Sequence, residues 1–327
     1  MASRKGINEA RLKKIYSRQQ SPGWGGDYLP SILATPQEAP SQSRAFTLTP
    51  KKLQGRETHV LSKPELHACL LGLYHPHVVG LQEQRMLSPN PCQHPLWTFT
   101  GVDRTSLPAL QGIIDVADRL GYLSTLPRLK VHSPNDKTST TTLIFPWIGD
   151  LLWAVQPTPE RIHCLNWSVK EKDVDFKRPF ATKAGQPANA KRSTSILARH
   201  EIEEVYYMDG GIVTHKVSDE RIDHHVSANL RQLFLHHRID LQLTHEQRAE
   251  LLHKFQTALE LDITPAEVIH QLAERGRYAV NQSRSFLWQA IWNRDLRVDL
   301  FHPILINRPL RPEERDVIDV YAAWFKG

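Results

Sequence analysis

The feature that most constrains this chain is a pair of apolar, β-branched and aromatic runs set back to back. TTTLIFPWIGDLLWAV (Thr140–Val155) and RIHCLNWSVK (Arg161–Lys170) are separated only by a short turn around Pro157–Glu160. Such residues favour strands, and so short a turn makes the two strands neighbours in one sheet. One carboxylate, Asp150, interrupts the first run after Gly149. A carboxylate there is paired, metal-bound or at the mouth of the strand, because burying it alone is costly.

The other elements follow from local signals. SKPELHACLLGLY reads as a helix with Ser62 at its N-cap and Pro64 in its first turn, and Asn8–Gln19 as a shorter one. VVGLQEQRML (Val78–Leu87) alternates like a strand, and Ser106–Leu123 has helical apolar spacing that ends near Gly121. LPRLKVHS is another strand, Glu171–Ser195 a polar loop, Ile196–Gly211 a helix, and GIVTHKVS the strand after it. Residues 57–218 therefore read as one mixed α/β domain. Beyond it the pattern turns helical, at Ser218–His236, His245–Leu259, Pro265–Arg275 and Ser283–Asn293, with a final strand pair around Leu296–Asn307. Helices followed by a hairpin suggest a winged-helix-like domain over 219–327, although a three-helix bundle gives a similar pattern.

Composition narrows the class. Of 327 residues, 40% are hydrophobic and 23% charged, which fits a globular protein of about two domains and excludes a mostly disordered chain. No stretch approaches the roughly 20 apolar residues of a membrane span, and the basic N-terminus lacks the apolar core of a secretory signal. Three cysteines without a CxxC pair fit a reducing cytoplasm better than a disulfide framework or a Cys-rich zinc site. The net charge is +6, yet residues 1–56 alone carry ten Lys/Arg against three acids. A basic, turn-rich and partly flexible arm on a near-neutral body is a footprint for a polyanion, or else a solvated leader. There is no GxxxxGK[ST] and no HExxH, and Asp223-His224-His225 reads as surface histidines at a helix start. Trp24, Trp97, Trp147, Trp153 and Trp167 read as core or arm anchors.

One constellation carries chemistry. Metal-dependent phosphodiester hydrolysis needs hard oxygen ligands and a cation near the attacking water. A carboxylate on a helix (Glu65), one at a strand end (Asp150) and a polar residue two positions before a lysine on the next strand (Ser168, Lys170) meet that need. Residues i and i+2 of a strand share a face, so Ser168 and Lys170 point together. Each has a plainer reading too. Ser62-Lys63-Pro64-Glu65 matches a capping box, and Lys170 opens the charged run KEKDVDFKR. The cations that follow, Lys172, Lys177, Arg178, Lys183, Lys191 and Arg192, could hold phosphates or keep a long loop soluble.

Gly55–Pro89 resembles the opening of TnsA, the restriction-endonuclease-like subunit of heteromeric transposases. There a helix carrying the catalytic glutamate precedes a strand that here reads VVGLQEQ. GDLLWAV, NWSVK and RHEIEEVYYMDGGIVTHKVS look like later blocks of that family in the same order, and GWGGDYLPSI like its leader. The resemblance implies a restriction-endonuclease-like core, a central mixed sheet flanked by helices. It implies Mg²⁺ (or Mn²⁺) held by Glu65, Asp150 and the Val169 carbonyl, with Lys170 positioning water. Ser168 stands where the family has Gln or an acid, a weaker ligand. The implied activity is cleavage of the 5′ strands at transposon ends, in the bacterial cytoplasm. The implied partners are a DDE transposase of TnsB type and an AAA+ ATPase of TnsC type docking on the C-terminal domain. A stand-alone nuclease and a non-catalytic assembly factor are the alternatives.

Overall fold

The alternating segments fold, in a computed structural model, into two compact units. Residues 6–41, 44–132, 140–177 and 190–327 are described, with the backbone alone for 132 and 190–195. The first unit comprises the described residues of Met1–Cys69, His77–Arg221 and Trp324–Gly327, and the second Leu70–Pro76 and Ile222–Ala323.

In the first unit, α1 (Glu9–Gln19) begins at the side-chain cap Asn8, whose Oδ1 accepts from Arg11 N. Two short strands follow, β1 (Phe46–Leu48) and β2 (Thr58–Val60), then α2 (Lys63–Tyr74), which runs on into the second unit. Next come β3 (Val78–Glu83), β4 (Met86–Leu87), α3 (Ile113–Arg119), β5 (Arg128–His132), β6 (Thr140–Ile144) and β7 (Trp147–Ile148). The first apolar run, read as one strand, is broken at Pro146 and Gly149-Asp150 into β6, β7 and β8 (Leu151–Thr158), and the second becomes β9 (Arg161–Lys170), followed by α4 (Ala190–Met208) and β10 (Val213–Ser218).

The central sheet is mixed, in the order β10-β9-β8-β3. β9 pairs antiparallel with β8 and parallel with β10, and β8 pairs antiparallel with β3. Alternation assigns the faces. Leu152, Ala154 and Cys164 join the main core, where Ile202, Tyr206 and Tyr207 of α4 meet Val116 and Ala117 of α3. On the opposite face Trp153 stacks edge-on against Trp167, with ring centroids 5.5 Å apart, and Trp167 meets Phe325 at 5.0 Å. The indole of Trp167 donates to the Trp324 carbonyl, so the last residues of the chain close that face. The mixed α/β expectation thus holds, with helices packed on the sheet.

Residues 6–56, expected as a partly flexible arm, are folded onto this unit where described. Leu12 and Ile15 pack with Met86 and Phe145, Trp24 donates to the Pro95 carbonyl, and Tyr28 donates to the Glu83 carbonyl. Two of the basic side chains read as a footprint for a polyanion are drawn into internal pairs. Arg56 makes a buried two-pronged pair with Glu83, and Arg18 makes the same kind of pair with Glu38. The turn-rich composition that suggested flexibility instead allows the chain to follow the surface while a few anchors bury apolar area.

Several boundaries shift. The helix expected over 106–123 starts only at Ile113, because Pro108 and the bridge between Cys92 and Leu110 hold the preceding residues extended. Gly112 has φ +91°, and a Cβ there would lie 2.6 Å from the Pro89 carbonyl oxygen. α4 begins at Ala190, inside the segment expected as loop.

The second unit contains α5 (His224–His236), α6 (His245–Glu260), α7 (Pro265–Glu274), α8 (Val280–Trp292) and a single turn, α9 (Val317–Val320). Asp223 is the N-cap of α5 and accepts from His225 N and Val226 N, so the Asp-His-His triplet is a helix start. The expected strand pair at 296–307 is reduced to one antiparallel bridge, Val298 to Pro312. Pro303, Pro309 and Pro312 remove the N–H donors a longer ladder needs. Among the described residues no helix is long and apolar enough to cross a membrane.

The Glu38 carboxyl is held down at about 2 by its hydrogen bonds to Arg18, against burial that opposes ionisation. A depressed carboxyl stabilises the fold above its unfolded value and ceases to do so as pH falls toward 2. Glu38→Gln should therefore lower the thermal midpoint by roughly 2–4 °C at pH 7, with the difference vanishing near pH 2. An equal shift at both pH values would show that the charge contributes nothing.

Candidate active site

Asp150 owes its position to the β-ladder. The pairing that aligns Glu83 with Leu151 and Met86 with Ile148 runs through a local break between these pairs. Gln84 N donates to the Asp150 carbonyl at 2.9 Å and Gly149 N to the Arg85 carbonyl at 2.8 Å. At the break Gln84 takes a left-handed φ of +50°, unusual for a residue with a side chain. Asp150 Oδ2 accepts from Val169 N on β9 at 2.7 Å and lies 3.8 Å from Lys170 Nζ. Lys170 also donates to the Val169 carbonyl at 3.0 Å, so the carbonyl expected to bind metal is shared with the lysine.

Glu65 sits in the first turn of α2, where it forms the capping contacts the sequence suggested. Its own N–H donates to Ser62 Oγ, while its carboxylate accepts from Ser62 Oγ at 3.0 Å and Leu61 N at 2.8 Å, which is a capping arrangement. Its Oε2 also accepts from Gln84 Nε2 at 2.9 Å. Burial, and then the charge of Asp150, push its carboxyl up to about 7. Glu65 and Asp150 are thus brought together in space although distant in sequence.

A third carboxylate completes the corner. Glu203 projects from α4 onto the face of β9 that carries Asn166, Ser168 and Lys170. It accepts from Asn166 Nδ2 at 3.1 Å and from Ser168 Oγ at 3.4 Å. Burial raises its carboxyl, and the charge of Asp150 raises it further. Ser168, expected as a weak ligand, is buried and spends its hydroxyl on Glu203. On α4, His200 packs edge-on against Phe176, its titration lowered to about 3 by burial and then by Lys170 and Arg199. Gln84, Glu203 and His200 were not singled out from the sequence. Helical spacing offered a signal, since Glu203 falls among the apolar Ile202, Tyr206 and Tyr207 and on the buried side of α4.

The corner has the donor set of a hard divalent cation, three carboxylates and a carbonyl. A carboxylate has about four acceptor sites. Glu65 uses three on protein donors, Glu203 two and Asp150 one, and Asp150 lies 3.8 Å from Lys170. The Asn166 Oδ1 and Tyr207 hydroxyl are buried without partners beside them. These features fit a cation, although among the described residues no three His, Cys, Asp or Glu groups already stand in metal-binding geometry. Of the cations expected to meet DNA, Lys172 and Lys177 are exposed beside the short turn Asp173–Phe176. Arg178 and Lys183 lie outside the described residues, and Lys191 and Arg192 fall on the first turn of α4, where only the backbone is described.

A raised carboxyl binds its proton more tightly in the folded state, so stability falls as pH rises from about 4.5 through about 7. Asp150→Asn should move the Glu65 titration down from about 7, read from its side-chain carboxyl carbon by NMR. An unmoved titration would mean that the two acids do not feel each other.

No family model matches the chain and no curated protein is similar to it, which leaves the site's own chemistry to carry the assignment.

Proposed function

We propose that the protein is a Mg²⁺-dependent DNA endonuclease of TnsA type, acting on the 5′ strands of transposon ends. The observation that carries this reading is the meeting of Glu65, Asp150 and Glu203 with Lys170 at one corner of the sheet. The acids come from a helix, a strand end and a second helix, and the lysine from the neighbouring strand, as phosphodiester hydrolysis requires. A restriction-endonuclease-like core is favoured by the mixed four-stranded sheet, with the helix of Glu65 before it and α4 between its parallel strands. Ser168, where the family has Gln or an acid, is compensated by Glu203, which brings a carboxylate to the same place. That favours an active site over a decayed one.

Asp150, Glu203 and the remaining lone pair of Glu65 would hold Mg²⁺, or Mn²⁺, with the Val169 carbonyl alongside. The ion when bound supplies Lewis acidity toward the phosphate and acidifies a water. Lys170, steadied by the Val169 carbonyl and near Asp150, orients the attacking water and offsets charge developing on the phosphate. Gln84 holds Glu65 in place from the strand break. Lys172, Lys177, Arg178, Lys191 and Arg192 would hold backbone phosphates. A DDE transposase of TnsB type would cut the other strand, and an AAA+ ATPase of TnsC type would dock on the helical C-terminal unit, of winged-helix type in this reading. Three free cysteines suit a reducing bacterial cytoplasm.

Asp150→Ala should reduce Mg²⁺-dependent 5′-strand cleavage in a reconstituted reaction about 10³-fold or more, a loss of several kcal/mol of transition-state stabilisation, while partner binding persists. Undiminished cleavage by this variant would end the catalytic assignment. Ser168→Glu should retain activity, since its carboxylate would add a donor beside Glu203.

A further inference from the structure

We infer that the two-stranded ribbon β5–β6 lies against duplex DNA and holds its phosphates through Arg128, Lys130, Thr140 and Thr142. This rests on the reading that DNA is the substrate, and it adds an element outside the catalytic corner and its loop cations.

The ribbon is a separate antiparallel sheet in continuous register, from Arg128 opposite Ile144 to His132 opposite Thr140. Its base is held from both sides. Leu129 packs with Leu12, Ile15, Met86 and Phe145, Ile144 packs on the main core, and Phe145 N donates to the Pro127 carbonyl. Beyond that base the strands leave the core, and Arg128, Lys130 and Thr140–Leu143 are exposed. Alternation places Arg128, Lys130, Thr140 and Thr142 on one face. The two strands contain no acid, and among the described residues neither Arg128 nor Lys130 forms an ion pair. One Arg128 nitrogen donates to the Leu123 carbonyl at 2.9 Å, which steadies the guanidinium and leaves its other N–H groups outward.

Dimension and chemistry choose the occupant. Strands about 4.8 Å apart, with their side chains, match a B-form major groove about 12 Å wide, which admits a two-stranded ribbon. The deep, narrow groove of A-form RNA does not. Single strands are gripped by aromatic stacking, and neither strand carries a Phe, Tyr or Trp. Ile144, at the base, is six residues before Asp150, hence at most about 20 Å from the catalytic corner. A duplex resting on the ribbon thus passes within reach of the acids.

The test is binding of the full chain to a fluorescein-labelled duplex, read by anisotropy over a salt series in EDTA so that nothing is cut. Arg128→Ala with Lys130→Ala should bind more weakly and make the slope of log K against log salt shallower by about 1.8, since two phosphate contacts are lost. Its thermal midpoint should stay unchanged because both side chains are exposed, and Arg128→Lys with Lys130→Arg should keep the original slope. Wild-type affinity and slope in the alanine variant would overturn the inference. So would absence of duplex binding by the unaltered chain, or tighter ribbon-dependent binding of a single strand. The catalytic reading fails separately, through undiminished cleavage by Asp150→Ala.

Discussion

Glu65, Asp150 and Glu203 repel one another, and holding like charges together in a buried corner is unfavourable unless donors or a cation compensate. Much of the first unit can be understood as the supply of those donors. Val169 N reaches Asp150, while Leu61 N, Ser62 and Gln84 reach Glu65, and Asn166 with Ser168 reaches Glu203. Two of the acids nevertheless keep raised titrations, set first by burial and then by the charge of Asp150.

The sheet makes this arrangement rigid. Its ladder runs through Gln84 and Asp150, so the strand break that bends Gln84 toward Glu65 also sets the height of Asp150. Alternation along β9 sends Asn166, Ser168 and Lys170 to the side of α4, and Trp167 to the other side, where Trp153 and Phe325 cover it. The polar corner and the apolar packing therefore use opposite faces of one strand. The N-terminal residues contribute structure in the same way. Arg56 neutralises Glu83, the neighbour of Gln84, so the acid nearest the break is spent on holding the fold.

The legible parts of the site were those with local signals. Asp150 stood out as a lone carboxylate in an apolar run, and Ser168 with Lys170 by their period of two on a strand. Glu65 was legible as a cap, and its remaining acceptor site leaves the second reading, as a ligand, compatible with the first. Glu203 was obscured because an acid on an amphipathic helix is usually solvated, and only the packing of α4 buries it. The basic N-terminal residues were legible only as charge, because composition carries no information on which cations meet Glu38 or Glu83 inside the protein.

By itself the sequence determined the order of the longer helices and of the β8–β9 and β10 strands, because hydrophobic periodicity, caps and turn residues act over a few positions. It also placed the β8–β9 hairpin, whose short turn leaves no alternative partner nearby. Tertiary structure alone decided which face of α4 meets β9 and where the strand break falls. It also decided that Pro303, Pro309 and Pro312 hold the second unit's last segment to a single bridge. These outcomes depend on contacts between residues tens of positions apart, whose free energies are set by burial and hydrogen bonding rather than by local propensity.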